Sequence, residues 1–520
     1  MNTGLSKSKL MSFQQCGRKL WLSVHRPELD VVSTGAQGVF DVGNQVGEFA
    51  RRQTEAQLGS GTLIDVRPHG WADGLRRCEE ALARPGPQLL FEAPFAGGGV
   101  GVLVDILVRD QMGMLTLIEV KSSTSLVGKP YVEDAAVQAW VMSQAGHVPQ
   151  RVLLRLLDNG WVYQGDGDYG GLFKDIDVTD LVDERLTRMP EIVLRALETV
   201  EGSEPQTEPG NHCRKPFACG FSAHCQAWAA ARKPPPTPFP VDLLLRRNMG
   251  SFTYAEKRDL QGGSYADLSE LPRDFPADER TRALVRSLLE NTEWHSEALG
   301  HVLASVPYPR YHFDFETIAC AVPRWKATTP YQQVPFQWSC HIEHADGRID
   351  HREFLDLSGN DPRENCARRI VELMAADDHG VVVVYSQSFE QARLKELARD
   401  FPEHAAGLER VIARLVDLLP IFRQHYFHPA LEASWSIKKV LQTIAPELSY
   451  ANLTEVQDGG GAQRAYLEAL ETSSAARQSE LRQRMLAYCE RDTEAMVRLI
   501  RFGSQFPAKV SSASSAGPSP

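Results

Sequence analysis

The sequence predicts an α/β protein built from two larger domains joined by a short helical connector. Three observations carry this. The chain has 520 residues, which at roughly 100–200 residues per domain implies two to four domains. Apolar residues make up 42% and charged residues 24%, the balance of a globular chain and not of a disordered segment, collagen or a coiled-coil rod. In the last third, three strand-like runs, a helical segment and a fourth strand follow one another, the pattern of a sheet with a mixed edge.

Taken in order, residues 5–24 read as one helix with a basic and an apolar face. Val100–Val108 and Met114–Val120 read as two buried strands around a turn at Asp110–Gly113, and Val132–Ala145 as the next helix. Residues 231–240 hold five prolines in ten positions, which cannot continue a helix or a central strand and read as a stiff linker. Between 241 and 305, Thr281–Leu289 and Glu293–Ala304 read as helices. Strand Arg310–Phe315 follows, then a hairpin of Phe336–Glu343 and Arg348–Leu355 around Asp346-Gly347. Helix Pro362–Ala376, strand Val381–Tyr385 and helices ending in Ser479–Arg501 complete the domain. The Ser-, Ala- and Pro-rich tail reads as disordered. The expected divisions are 1–230, 231–305, 306–503 and 504–520.

The longest aliphatic run, Val381–Val384, is far short of the roughly 20 residues of a membrane span. The start, MNTGLSKSKLMSF, lacks the apolar stretch of a secretory signal. A cytoplasmic protein with no membrane partner is expected. The net charge of −11 argues against a histone-like coat on nucleic acid, yet a local basic groove suffices for a nuclease. Residues 1–27 carry Lys7, Lys9, Arg18, Lys19 and Arg26 and no acid.

Three constellations carry chemistry. In the first, Asp105 lies on one strand and Glu119-Val-Lys121 on the next. Residues two apart on a strand share a face, so Glu119 and Lys121 point the same way and pairing brings Asp105 beside them. Two carboxylates so placed can hold Mg²⁺ or Mn²⁺, with the lysine orienting a water. The same pattern fits a salt bridge on a half-buried hairpin. In the second, Cys213, Cys219 and Cys225 stand as C-x5-C-x5-C, and Cys16 is the natural fourth thiolate for an iron–sulfur site. Zinc with His212 or His224, and unrelated buried thiols, are the other readings. Cys78, Cys320, Cys340, Cys366 and Cys489 read as buried small hydrophobes. In the third, strand Arg310–Thr317 carries Asp314 and Glu316. Ser386-Gln-Ser-Phe-Glu390 opens a helix, and Tyr488-Cys-Glu-Arg-Asp492 puts a tyrosine and an acid one turn apart. Four carboxylates can bind two divalent metals, with Tyr488 orienting the attacking water. Asp417 is the second choice for the middle acid, with capping as its other reading. Asp458-Gly-Gly-Gly-Ala462 reads as a Gly-rich loop without a P-loop lysine.

The first constellation resembles the PD-(D/E)xK nuclease superfamily in its RecB-like branch, with Gln138 as the helix glutamine. Two positions depart: Met142 replaces an aromatic, and Gly43-Asn-Gln-Val-Gly47 has glycine where many members carry a metal-binding histidine. The departures imply either weakened metal binding or reliance on Glu92. The resemblance to RecB-like nucleases of the CRISPR-adaptation and AddB types, with one cysteine before the core and three after it, implies a 4Fe–4S cluster. The first gap is longer here than the family's C-x2-C-x5-C. The third constellation resembles the DEDD exonuclease superfamily of ribonuclease H-like fold, in its tyrosine branch, with Glu390 where the family usually has aspartate. Ser434–Leu441 is similar to the family's Ser-x-Ser-Leu-Lys segment, making Lys438 and Lys439 phosphate contacts or a solvated helix face. From Leu5 to Phe502 the order resembles the bacterial proteins grouped as domain of unknown function 2779. These resemblances imply an N-terminal restriction-endonuclease-like domain with an Fe–S cluster and a C-terminal ribonuclease H-like domain. The function implied is a metal-dependent nuclease, 3′→5′ exonucleolytic in its C-terminal domain, acting on nucleic acid and on DNA ahead of RNA, with a helicase, repair or defence partner. The rival readings are a nucleic-acid-binding scaffold with a degenerate RecB-like site and a short-oligonucleotide phosphodiesterase.

Overall fold

The computed structural model describes residues 4–31, 34–232, 239–241, 243–244, 249, 252–262, 265, 267–273, 275, 277–375, 377, 379–503 and 505–506. Most of the proline-rich linker (233–238) and of the tail (504 and 507–520) lies outside the described residues. The chain is of mixed α/β class and forms two compact units, 1–234 with 319–332, and 235–318 with 333–520.

The first unit contains β1 (Leu5–Ser6), α1 (Lys7–Gln15), α2 (Gly17–His25), α3 (Thr34–Leu58), β2 (Thr62–Leu63), α4 (Trp71–Ala83), β3 (Gln88–Gly97), β4 (Val100–Arg109), β5 (Leu115–Lys121), α5 (Tyr131–Gln144), β6 (Arg151–Leu157), β7 (Phe173–Asp177), α6 (Thr179–Leu186), α7 (Met189–Glu201) and α8 (Ser222–Arg232). Its sheet runs β2-β3-β4-β5-β6-β7, with β1 paired parallel to β4. β3, β4 and β5 are antiparallel neighbours, and β5 and β6 are parallel. A parallel pair needs a crossover, and α5 supplies it. Alternation sorts the strands into two faces. Leu90, Leu107 and Leu117 pack with Val137 and Val141 of α5. Phe91, Ile106 and Ile118 pack with Val46 and Ala50 of α3. The expected single helix over 5–24 is broken. Cys16 is extended (φ −168°, ψ 123°), closing α1 and opening α2. Cys320 is only partly buried, unlike the other cysteines outside the cluster.

The second unit contains α9 (Tyr254–Gly262), α10 (Glu279–Glu290), β8 (Trp294–His295), α11 (Leu299–Ala304), β9 (Arg310–Ala319), β10 (Gln333–Glu343), β11 (Ile349–Leu355), α12 (Arg363–Met374), β12 (Val381–Val384), α13 (Ser388–Asp400), α14 (Pro402–Ala413), β13 (Leu415–Asp417), α15 (Leu418–His425), β14 (Tyr426–Phe427), α16 (Ile437–Ile444), α17 (Gly459–Glu471) and α18 (Ala475–Gly503). The sheet order is β11-β10-β9-β12-β13, with β12 parallel to both β9 and β13. Tyr311, Phe313, Phe315, Trp338 and Ile342 form its apolar face against Cys366 and Ile370 of α12 and Leu394 of α13. The opposite face is polar and α18 lies on it. Gln337 Nε2 donates to the Met485 carbonyl (2.8 Å), and Arg501 Nε donates to Glu343 (2.9 Å).

Two expectations shift here. Residues 293–304 are not one helix, because Trp294–His295 pairs with Tyr426–Phe427 and helix begins only at Leu299. The connector is not separate either. Leu284, Leu288, Leu299 and Leu303 share a core with Phe422, Tyr426, Leu499 and Ile500, which draws it into the second unit.

The β3–β4 turn gives a direct test of this packing. Gly98 and Gly99 both have left-handed φ (+59° and +81°), as a two-residue hairpin turn requires. A Cβ on Gly98 would also sit 2.1 Å from the Trp140 ring. Gly98→Ala is expected to cost about 2–4 kcal/mol, from backbone strain plus overpacking, read as a lower urea midpoint of the first unit.

Candidate metal centres

In the first unit, Asp105, Glu119 and Lys121 do meet. They line a cleft of about 830 Å³ together with Glu92, Gly43, Gly47, Arg51 and Arg67. Asp105 accepts from the Val120 amide at 2.7 Å. Glu119 is nearly closed off from solvent and is gripped from three sides: Lys7 Nζ at 2.8 Å, Lys121 Nζ at 2.5 Å and Gln138 Nε2 at 2.6 Å. Lys7 and Lys121 also reach Asp134. Burial disfavours the Glu119 charge, but the two ammonium groups outweigh it and hold the carboxyl far below its usual range. Lys7 and Lys121 also act on Asp105, but burial and the neighbouring Glu119 outweigh them and raise it well above the usual range. Glu92, held at φ 51°, also lines the cleft and is raised by burial and by Glu119. Gly43 and Gly47 each have open space where a side chain would project.

The four cysteines also meet. Cys16, Cys213, Cys219 and Cys225 line one small cavity with Arg18, Lys19 and His212. His224 does not line it. The break at Cys16 is what delivers the first thiol. Gln15 fastens the ends together, its Nε2 donating to the carbonyls of His212 (2.7 Å) and Phe217 (2.8 Å). Burial raises the Cys219 and Cys225 thiols, while the buried Arg18 guanidinium pulls Cys225 the other way. Among the described residues, the groups of three ligand atoms lying within 4.8 Å of one another do not include these sulfurs.

In the second unit, Asp314 and Glu316 share the sheet face under α18, where Tyr488 and Asp492 stand one turn apart. Glu390 lies in the first turn of α13. The turn into that helix is clamped by Asp417, whose carboxylate accepts from the amides of Ser386 (2.9 Å), Gln387 (3.0 Å) and Leu419 (2.9 Å). Asp417 therefore takes the capping role. Glu316, Glu390 and Asp492 are buried, Asp314 is half-buried, and the acids are crowded. Burial, then Asp492, Glu390 and Glu316, raise Asp314 well above the carboxylate range. Burial and Asp492 do the same to Glu316. Burial pushes Asp492 to about 6 and Glu390 to about 8. Lys438 offsets part of this charge, standing 4.8 Å over the Tyr450 ring and 4.9 Å over the Tyr488 ring. Lys439 pairs instead with Glu432. Glu390 Oε2 is buried without a hydrogen-bond partner. The Gly-rich segment forms the first turn of α17, capped by Asp458.

Several site residues escaped sequence reasoning. Lys7, Arg51 and Arg67 sit far from the Glu119 motif, and nothing in their spacing ties them to it. Tyr450 donates to Asp492 Oδ1 at 2.5 Å from an irregular segment with no periodic pattern. Cys489 lies with its sulfur within 4.8 Å of ligand atoms of Asp314 and Glu316, although its neighbours Tyr488 and Asp492 already marked the turn.

The crowded acids fix a pH dependence. A carboxyl raised in the folded state stabilises the fold at low pH, and that contribution is lost as pH rises through the folded value. With Glu390 at about 8 and Asp492 at about 6, the metal-free second unit is expected to lose on the order of 2 kcal/mol between pH 6 and 8. Saturating Mn²⁺, which competes with those protons, is expected to reverse the slope. Thermal melts at the two pH values, with EDTA or with Mn²⁺, check both statements.

Comparisons with known proteins add similarity without function. The chain is 26% identical over 226 residues to the uncharacterized protein UU173 of Ureaplasma parvum serovar 3, covering 40% of this chain and 33% of that protein. It is 29% identical over 219 residues to the uncharacterized MG366 homolog of Mycoplasma pneumoniae, covering 38% of this chain and 32% of that protein. The match thus spans about one third of the length of these curated relatives. The solved structure titled "Crystal structure of SSO0001" is 16% identical, covers 44% of this chain and 87% of its own, and superposes with a TM-score of 0.24, too low to bear on the fold. The family described as Domain of unknown function (DUF2779) matches residues 311–436, the stretch from Asp314 and Glu316 through Glu390, and this supports that family label for the chain.

Proposed function

We propose that the chain is a metal-dependent nuclease, with 3′→5′ exonuclease chemistry in its second unit. The observation that carries this is the convergence of Asp314 and Glu316 with Asp492 and Tyr488 of α18, with Glu390 acting on Asp314 and Lys438 acting on Asp314, Glu316 and Asp492. The donor set is all carboxylate, which suits Mg²⁺ or Mn²⁺. The orphaned Glu390 oxygen and the raised acids are what a site lacking its cations would have. Two such cations would supply a water nucleophile at neutral pH and stabilise the leaving oxygen. The protein's own residues do the rest. Tyr488 orients the attacking water, Tyr450 and Tyr488 hold Asp492 in place, and Lys438 meets the phosphate. Hydrolysis proceeds without a covalent enzyme intermediate. The mixed five-stranded sheet, a meander followed by two parallel strands, supports the ribonuclease H-like reading.

The first unit fits a RecB-like PD-(D/E)xK fold used as a DNA clamp. Its Glu119 is already neutralised by Lys7 and Lys121, while Arg51 and Arg67 line the cleft for phosphates. Four converging thiols fit an Fe–S cluster, held by Cys16, Cys213, Cys219 and Cys225. A single tetrahedral zinc would draw its sulfurs to roughly 4 Å apart, tighter than the grouping found here. Within the cell we place the protein in the cytoplasm, on DNA ahead of RNA, beside a helicase, repair or defence partner. A scaffold without catalysis is the second reading, favoured by the saturated Glu119.

Anaerobically purified protein, offered end-labelled single-stranded DNA, duplex DNA and RNA with Mn²⁺, decides between them. A ladder from the 3′ end is expected, reduced roughly a hundredfold or more by Asp314→Ala with binding retained, and unaffected by Lys121→Ala. Loss with Lys121→Ala instead moves the chemistry to the first unit. Binding without cleavage of any substrate leaves the scaffold. Separately, Cys16→Ser is expected to lose bound iron and acid-labile sulfide, measured by elemental and colorimetric assay, and to lower the stability of the first unit.

A further inference from the structure

We infer that His341, His351 and Glu490 form a transition-metal site of the zinc class, separate from the carboxylate quartet and the cysteine cavity. His341 on β10 and His351 on β11 are direct cross-strand partners in the antiparallel register. Such pairs hold their side chains close on one face of the sheet, and here the ring centroids are 4.5 Å apart. Helix α18 crosses that face and adds Glu490, whose Oε1 is 3.8 Å from His351 Nδ1. One nitrogen of each ring and one oxygen of Glu490 all lie within 4.8 Å of one another.

The surroundings favour ligation. A ligating imidazole commonly uses one nitrogen for metal and fixes the ring through the other. His351 Nε2 is hydrogen-bonded to Ser339 Oγ at 2.9 Å, and His341 Nδ1 to Thr493 Oγ1 at 2.8 Å. The two hydroxyls are themselves linked at 2.9 Å. Each ring is thus oriented from behind and keeps a second nitrogen. Two imidazoles and one carboxylate form a set that suits Zn²⁺, with a fourth position for water, and that Mg²⁺ or Ca²⁺ takes poorly. Access is one-sided. His341 is 8% exposed, while the side chains of His351 and Glu490 are 25% and 48% exposed, giving an entry route from solvent. Occupation would pin α18 to the β10–β11 hairpin between Tyr488 and Asp492, so the site would act on the quartet by positioning the helix and not by touching substrate.

The test counts metal on the full chain. Wild type, His351→Ala and Glu490→Gln are dialysed against Zn²⁺ in excess Mg²⁺, and bound zinc is measured per chain. Comparing variants cancels any zinc held by the cysteines. His351→Ala is expected to bind one equivalent less. Glu490→Gln, an exposed change that spares the fold if His351→Ala does not, is expected to weaken that equivalent at least tenfold. Co²⁺ in place of Zn²⁺ is expected to give a visible d–d band that His351→Ala removes. Equal zinc content and affinity in all three proteins would overturn the site, whatever the nuclease assay returns.

Discussion

Buried carboxylates in excess of buried cations are the constraint on which both units turn. In the first, Asp105, Glu119 and Asp134 face Lys7 and Lys121; burial raises Asp105 and Asp134, while both ammonium groups close on Glu119. Glu119 is accordingly pulled down and stays ionised. In the second, burial raises Asp314, Glu316, Glu390 and Asp492, opposed by Lys438 at Asp314, Glu316 and Asp492 and by Arg393 at Glu390. One folding problem thus has two solutions. An internal lysine pair keeps one interior carboxylate charged. A bare acid cluster is instead accommodated by raising its carboxyls, so that its contribution to stability falls as pH rises.

The long final helix makes the second solution possible. A sheet buries an apolar face easily, but the other face of β9 and β10 carries His312, Asp314, Glu316, Gln337, Ser339, His341 and Glu343. Helix α18 covers this polar face with partners in register. Met485 offers a carbonyl to Gln337, Thr493 a hydroxyl to Ser339 and His341, and Arg501 a guanidinium to Glu343. Each unpaired group there would cost about 1–3 kcal/mol. The seam therefore specifies where the helix lies along the sheet, which is also what sets Tyr488 and Asp492 over Asp314 and Glu316.

Much of this was legible in the sequence because period carries meaning. Asp314-x-Glu316, Glu119-x-Lys121 and Tyr488-x3-Asp492 each exploit the repeat of a strand or a helix, and the structure puts each pair on one face. The clustering of Cys213, Cys219 and Cys225 was legible because thiols that close together are rare. What stayed hidden was delivered by tertiary approach alone. Lys7 reaches Glu119 across 112 positions of chain, and Tyr450 comes from an aperiodic turn. The break at Cys16 was missed although Gly17 follows it, because apolar and basic positions continue a helical pattern on both sides. Cys16 itself was named as the fourth thiolate; what the local pattern did not show was the extended backbone that presents it. The connector was drawn as separate because its prolines dominate its composition, while its leucines join the core of the second unit.

Helix α1 is nine residues long, with Lys7 as its first residue and Cys16 closing its far end. At 1.5 Å per residue it is a rod of roughly 13 Å. One end stands in the acidic cleft, the other at the cysteine cavity. The backbone that presents the Cys16 thiol is therefore continuous, through about two and a half turns of helix, with the backbone that presents the ammonium group bonded to Glu119. The thiol pocket and the acidic cleft are thereby hung on the two ends of one piece of secondary structure.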